Sequence, residues 1–453
     1  MGNIDAIFKA YDVRGLAPEE LDAELSRAIG AAFARYVADE DGATSIVVGH
    51  DMRPTGPEFS AEFAQGALSQ GVDVIDIGLA STDMMYFASG SLDMPGAVFT
   101  ASHNPAEYNG IKMCLKGAAP LGSDTGLAVI KENARTLLDP RGETGTLTTK
   151  SMLEDFAQHV LSFIDVSSLT PLKIVADTAN GMGGLVVPAV FAHLPFELEI
   201  MYEELDGTFP NHPADPLNEA NLADLKERVL EVGADVGLAF DGDADRVFLV
   251  DAKAQGVSGS LTTALVAEQV LKAEPGATIL HNLICSKVVP EIIAEGGGTA
   301  VRTRVGHSFI KAVMAETGAA FGGEHSGHYY FRDNWRADSG MIAAAVILAA
   351  MCSSGKPLHE LVEPLRRYRA SGEINTTVPD TATVIDHVAS AYSDFEQDRL
   401  DGLTVDCGDW WFSLRPSNTE PLLRLNLEAA DEEAVAARVA EVQAHMGEAP
   451  AVV

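Results

Sequence analysis

The chain has 453 residues, 47% of them hydrophobic, so several ordinary cores can form and length alone suggests three domains of about 150 residues each. Its 31 basic and 66 acidic residues give a net charge of −35. That excess opposes nonspecific binding to nucleic acid or to an anionic membrane, and any phosphate site here has to be a local basic island in an acidic field.

Cys114, Cys285, Cys352 and Cys407 lie far apart with no CxxC pair, which suits a reducing compartment and excludes the common zinc spacings. Met1 to Tyr11 contain no long apolar segment, so no signal peptide is expected. The most apolar run, Met341 to Cys352, is shorter than the ~20 residues that span a bilayer and reads as a buried helix. A cytoplasmic protein is expected.

In chain order, a helical pattern from Glu19 to Val37 places Leu21, Leu25, Ile29, Ala32 and Phe33 on one face. A short apolar strand, Ser45 to Gly49, runs into His50-Asp51-Met52-Arg53. A helix from about Pro57 to Gln70, a strand from Val72 to Ile77 and the end of a third strand at Met94 to Phe99 follow. Strand, helix, strand at this rhythm predicts a doubly wound parallel sheet. The rhythm restarts with strands at Leu172 to Ala176 and Val236 to Phe240. It restarts again with a helix from Leu261 to Lys272, a strand from Thr278 to Leu283 and a helix around Val288 to Glu295. The tail differs. Glu373 to Val378, Trp410 to Leu414 and Leu422 to Leu427 read as strands, and Asp431 to Met446 as a helix capped by Asp431. The expected fold is therefore three consecutive doubly wound α/β domains (1–148, 149–252 and 253–370) and a C-terminal α+β domain (371–453) around a central cleft.

Four loops carry chemistry. Thr100-Ala101-Ser102-His103-Asn104-Pro105 leaves a strand end, where ligands gather in such sheets, and its serine is a weak nucleophile until a base or charge partner activates it. Asp241, Asp243 and Asp245 alternate on a loop after a buried strand; hard oxygen donors so close together suit Mg²⁺. A helix-loop-helix calcium site would require Gly and Glu where this chain has Arg246 and Ala252. Gly323-Glu324-His325-Ser326-Gly327-His328 lacks the HExxH order of a zinc site, while Glu324 and Ser326 can hydrogen-bond hydroxyls. Arg415-Pro416-Ser417-Asn418-Thr419-Glu420-Pro421 offers a guanidinium fork, hydroxyls and an amide to a phosphate dianion. Gly181-Met182-Gly183-Gly184, with Glu203 and Glu204 downstream, approximates a dinucleotide fingerprint, but its sixth position is Val186.

Together these four segments, with Tyr11-Asp12-Val13-Arg14-Gly15 at the start, resemble the α-D-phosphohexomutase family, most closely its bacterial phosphomannomutase/phosphoglucomutase branch. The resemblance implies an isomerase that interconverts hexose 6-phosphate and hexose 1-phosphate, for mannose and also glucose. It would work through a phosphoserine at Ser102 and a hexose 1,6-bisphosphate intermediate. It implies Mg²⁺ held by Asp241, Asp243, Asp245 and the phosphate on Ser102. Arg14, His103, Lys112 and Arg246 resemble the positive groups around the transferring phosphoryl, with Tyr11 on the same wall. Lys112 and His307 are the candidate general acids and bases. Glu324, Ser326 and His328 resemble the sugar-binding loop, and Arg415, Ser417, Asn418 and Thr419 the clamp on the non-reacting phosphate. Some relatives carry lysine where this chain has Ile284, and nearby Lys287 takes no assigned role. A bisphosphate that turns over implies a hinge near Ala370 to Glu373, at Ser371-Gly372. Mutases of glucosamine or acetylglucosamine phosphate, a metal-dependent sugar phosphatase and a silent sugar-phosphate binder are the alternatives. The partners expected are small-molecule hexose phosphates, with no nucleic acid and no membrane; oligomeric state is not legible.

Overall fold

The structure, a computed structural model, describes residues 4–417 and 422–447. In its first sheet the strand Ser45–His50 lies between Asp73–Leu79 and Gly96–Phe99, all parallel, with Leu147–Thr149 extending the Asp73–Leu79 side. The other half is antiparallel. Tyr108–Leu115 pairs with Gly96–Phe99, and Val13–Leu16 pairs beyond it. The sheet is therefore mixed rather than parallel throughout. Neither antiparallel strand shows in the apolar periodicity, since Tyr108-Asn109-Gly110 carries turn-forming residues and Val13–Leu16 is four residues with Arg14 and Gly15 inside. The loop that holds Ser102 is consequently a direct return between two antiparallel neighbours.

The first long helix starts later than the pattern suggests, at Ala23, and runs to Asp41. Asp22 decides this: its carboxylate accepts from the Leu25 N–H at 2.7 Å, the ordinary N-cap bond. Glu20 faces backwards and accepts from the Leu16 N–H, which holds it in the preceding turn. The helix ends at Gly42, in the left-handed region at φ 64.

The second sheet has parallel strands Val236–Phe240, Lys173–Asp177 and Glu197–Met201, with Val247–Asp251 antiparallel on the edge of Val236–Phe240. In the third, Thr278–Asn282 lies parallel to Thr299–Thr303 and Phe321–Gly323, and Tyr329–Phe331 closes one side antiparallel. The last sheet is antiparallel, centred on Leu422–Ala429 and Trp411–Pro416. Its helix Glu432–Gly447 is capped as expected, the Ala434 N–H donating to Asp431 at 2.8 Å.

One apolar core runs without a break through the first three units, from Val47 and Phe87 through Phe156 and Phe240 to Phe321 and Leu348. The run Met341 to Cys352 lies within the helix Gly340–Ser354, with both faces covered near its start. No single helix among the described residues is long and apolar enough to cross a membrane. All four cysteines are free thiols.

The last unit has its own core, around Val388, Phe412 and Leu425, and polar links join it to the third. One carboxylate oxygen of Glu428 accepts from Ser286 Oγ, the Lys287 N–H and Trp411 Nε1 at 3.0, 3.0 and 2.8 Å. Lys287 Nζ binds Asp406 at 2.8 Å. Lys287 is thus engaged in this interdomain tie. Ser371 is bonded to Leu427 both ways, through its N–H and its hydroxyl, so it belongs mechanically to the last sheet; Gly372, at φ 68, turns the chain.

A second core covers the other face of the first sheet, where the Phe63 ring meets Phe33 at 5.9 Å and Phe99 at 5.6 Å. Phe63→Ala should lower the stability of the first unit by about 3–5 kcal/mol, seen as a lower denaturant midpoint with the slope unchanged. An unmoved midpoint would contradict this packing.

Candidate active site

Ser102 is buried, and its φ of 51 places it in the left-handed region that side chains other than glycine seldom adopt. Its N–H donates to Thr100 Oγ1 at 3.0 Å. Its hydroxyl donates to Asp241 at 2.9 Å and accepts from an Arg246 terminal nitrogen at 3.3 Å. One loop of the second unit thus gives the serine both an acceptor and a cation. The approach is close: a Cβ at position 242 would sit 2.4 Å from the Ser102 carbonyl oxygen, so Gly242 is there for contact between backbones. Gly181 is packed in the same way against the Gly242 carbonyl, to which the Met182 N–H also donates. That contact accounts for Gly181, while Gly184 is pressed against the Glu203 carbonyl, 2.1 Å from where a Cβ would sit.

Asp241, Asp243 and Asp245 are all buried, and their carboxylate oxygens come within 4.8 Å of one another. Lys112 reaches into the group, its Nζ 2.7 Å from Asp243 and 2.6 Å from Asp245. Burial alone would lower the Lys112 pKa, but the two carboxylates outweigh it and hold the ammonium well above its ordinary value. The reverse holds for Asp243, which burial would raise and Lys112 keeps ionised. Asp241 is pushed up by burial, against the pull of Arg246, with its two acidic neighbours adding to the rise. Even with Lys112 present, Asp243 Oδ1 and Asp245 Oδ1 are buried without a hydrogen-bond partner. Unpaired buried oxygens of this kind are costly, and a divalent cation would satisfy them with an all-oxygen donor set.

His103 departs from expectation. The Arg246 guanidinium donates to its Nδ1 at 2.7 Å, so that nitrogen accepts and the ring is neutral. Burial, then the charges of Arg246 and Arg14, bring its pKa down to about 2. It is therefore not one of the positive groups in this state. Arg14 is: one nitrogen donates to Asn104 of the serine loop at 2.9 Å and another to Asp12 at 2.7 Å.

Both carboxylate oxygens of Glu324 accept hydrogen bonds. Tyr330 donates to one carboxylate oxygen at 2.7 Å, while Asn282 and the Gly306 N–H donate to the other at 3.1 and 3.3 Å. Ser326 Oγ lies 3.0 Å from His328 Nδ1, and His328 Nε2 lies 3.8 Å from Asp245, so the third unit's loop borders the acidic one. Tyr11, its pKa raised by burial, feels the charges of Arg304 and Glu324 from the third unit and Asp401 from the last, so three units converge on it. Arg415 is buried and binds Asp401 at 3.3 Å; the Ser417 N–H donates to Leu422. Asn418 and Thr419 lie outside the described residues, as does the side chain of His307, which opens the helix His307–Thr317.

Two side chains of this region escape sequence reasoning. Arg304 stacks its guanidinium 4.4 Å over Phe309, whose ring also meets Tyr11 edge-on. Arg53 is buried behind the serine loop. Only its place at a strand end, after Asp51, could have drawn notice to Arg53.

Models of the phosphoglucomutase/phosphomannomutase family match four consecutive stretches: α/β/α domain I at residues 5–138, domain II at 154–256, domain III at 258–368 and the C-terminal domain at 373–445. The chain is 40% identical over 433 residues to a protein of Xanthomonas campestris pv. campestris named "Phosphohexose mutases", covering 94% of this chain and 96% of that one. It is 39% identical over 434 residues to a phosphomannomutase of Escherichia coli, covering 93% and 94%. A crystal structure of a phosphoglucomutase/phosphomannomutase family protein from Burkholderia thailandensis superposes with a TM-score of 0.90 at 30% identity, covering 99% of each chain.

Gly242→Ala tests the contact between the serine and acidic loops. The added methyl meets backbone that cannot yield, so stability should drop by about 1–3 kcal/mol. Activity per folded molecule should also drop, as read by circular dichroism alongside turnover. Full activity at wild-type stability would show that the two loops are not in contact.

Proposed function

The chain belongs to the phosphoglucomutase/phosphomannomutase family and is a phosphohexomutase, and on that premise we propose that it interconverts the 6- and 1-phosphates of mannose and glucose through a phosphorylated Ser102. The observation that carries this reading is the Ser102 hydroxyl itself, held between the Asp241 carboxylate and the Arg246 guanidinium beside two unpartnered carboxylate oxygens. Asp241, Asp243 and Asp245, with the phosphate on Ser102, would hold Mg²⁺, the ion that hard oxygen donors favour. Bound there, the ion would offset charge on the transferring phosphoryl group.

The remaining chemistry belongs to the chain's own side chains. The free hydroxyl of a bound hexose monophosphate attacks the phosphorus on Ser102. The phosphorus–serine oxygen bond breaks, a bond to the sugar oxygen forms, and the product is a hexose 1,6-bisphosphate. The sugar then turns over and its other phosphate returns to Ser102. Such transfers depend on positioning and charge stabilisation more than on covalent work by the protein. Arg246, Arg14 and Lys112 supply the charge. Lys112 is held as an ammonium by Asp243 and Asp245, so it serves as cation and proton donor rather than base. That leaves His307, the other candidate, to take the sugar hydroxyl proton, with His328 of the sugar loop beside Asp245. Tyr11 lines the wall, His103 accepts from Arg246 and keeps that guanidinium aimed at Ser102, and Glu324 and Ser326 face the sugar hydroxyls. Arg415, Ser417, Asn418 and Thr419 hold the phosphate at the far end. Glucose and mannose differ only at C2, and nothing in the Glu324 loop is dedicated to C2, so both epimers should be accepted. Four units divided near residues 148, 252 and 370 would then each supply one wall of the cleft.

Incubation with mannose 1-phosphate and with glucose 1-phosphate tests the activity. The 6-phosphate should form from both at comparable kcat/KM. Free phosphate would instead indicate a phosphatase, and no product would indicate a silent binder. Ser102→Ala should remove both turnover and the phosphate that mass spectrometry finds on residue 102; wild-type turnover in that variant would exclude the phosphoserine. Asp243→Asn keeps shape but removes one ligand charge, so Mg²⁺ affinity measured by calorimetry should fall roughly tenfold or more. Chelation should stop turnover and added Mg²⁺ restore it. Activity persisting in metal-free protein would refute the metal assignment.

A further inference from the structure

Arg53 is among the most deeply buried long side chains in the molecule, 1% exposed, where an arginine is found only if its charge and donors are met. Its partners belong almost entirely to one loop. One terminal nitrogen donates to the carbonyl oxygens of Pro105 and Tyr108, both at 2.8 Å. The other donates to the carbonyl oxygens of Ser102 and Asn104, at 2.9 and 2.7 Å. All four terminal N–H groups are thereby used on main-chain carbonyls between residues 102 and 108. The charge itself is met by buried Asp51, at 3.4 Å, whose other oxygen accepts from the Arg53 N–H. No donor of the guanidinium termini is left for a ligand.

The front of the group is sealed by the second unit. The Phe209 ring covers the guanidinium at 5.2 Å, and a Cβ at Gly207 would lie 2.6 Å from the Arg53 Cα. The segment 207–209 is therefore pressed onto the turn at residues 52–54 that carries Arg53.

We propose that Arg53 is a positioning residue for phosphoryl transfer: by gripping the Ser102 carbonyl it holds the serine in its left-handed conformation and so aims the hydroxyl at Asp241 and Arg246, with Phe209 keeping water off the grip. A residue with positive φ resists that conformation unless its surroundings over-determine it. Here the constraint comes from both sides of the peptide, Thr100 on the N–H and Arg53 on the carbonyl. A planar fork with fixed donor directions can hold four carbonyls at once. Lysine, with three donors on a flexible stem, cannot.

This rests on Ser102 being the phosphorylated residue, and the experiment separates the two claims. Wild type, Arg53→Lys and Phe209→Leu are each treated with glucose 1,6-bisphosphate. The phosphate on Ser102 is measured by intact mass, and kcat and KM for mannose 1-phosphate are normalised to folded protein. If wild type carries no phosphate on Ser102, the phosphoserine reading fails. If it does, Arg53→Lys should lower kcat per folded site by roughly ten- to a hundredfold, the loss expected from misplaced reacting atoms. KM should stay within about twofold, since Arg53 touches no substrate, and Ser102 should load more slowly. A merely structural role would reduce the folded fraction and leave kcat per folded site unchanged, which overturns the proposal, as does a variant whose KM rises at constant kcat. Phe209→Leu carries the same test if Arg53→Lys fails to fold. Here kcat should fall a few-fold at constant KM, and a wild-type kcat would overturn the inference.

Discussion

Three carboxylates buried on one short loop cannot all stay ionised unless cations are brought to them, and much of the centre of this molecule follows from that requirement. Asp241, Asp243 and Asp245 face Lys112, which arrives from the first sheet, and Arg246, which belongs to their own loop. With all three ionised, two fixed cations would leave the group one negative charge in excess, and two of its oxygens have no hydrogen bond. A third, exchangeable cation would complete the balance, and a phosphate beside it would then be attracted rather than repelled. Lys112 lies more than 120 residues from its partners, so these ion pairs join the first two units alongside their shared core.

Packing points the same way. The apolar core is continuous through three units but stops at the fourth, whose contacts to the third include the Glu428 and Lys287 links. A shared dry core repacks only at high cost, whereas hydrogen bonds to a carboxylate at an interface can exchange with water. The first three units thus form the rigid frame for the serine and the acidic loop. On the proposed mechanism, in which a bisphosphate presents each of its two ends to Ser102, the last unit, carrying Arg415, is the one whose separate core would let it adjust.

Much of this was legible in the sequence. Where apolar runs of five or six residues sit between turn signals, as at Ser45–His50, Val236–Phe240 and Thr278–Asn282, the strands fall where periodicity puts them. Periodicity fails at Val13–Leu16 and Tyr108–Leu115, because glycine, asparagine and arginine interrupt their apolar pattern and their pairing is settled by neighbours far along the chain. The four motif loops were legible because each is a local cluster of chemistry-bearing types. Arg53 and Phe209 were not: each is a single residue without a motif, and each gets its meaning from contacts 49 or more residues away. The neutral state of His103 was equally hidden, since it depends on which way Arg246 points.

The charge of the whole chain gives the site its contrast. With a net of −35, the surface as a whole disfavours the approach of a hexose phosphate, and salt screens that repulsion beyond about 8 Å at physiological ionic strength. The cations of the cleft are of another kind. Arg246 and Arg415 are buried and Arg14 is partly so, which places them where screening is weak and the local dielectric low. The molecule therefore separates charge by depth, an acidic exterior in water and, in the cleft, buried cations each set beside a carboxylate. On the proposed reading, binding of phosphate survives the unfavourable net charge because the arginines that would bind it sit where the exterior field is screened and their own is not.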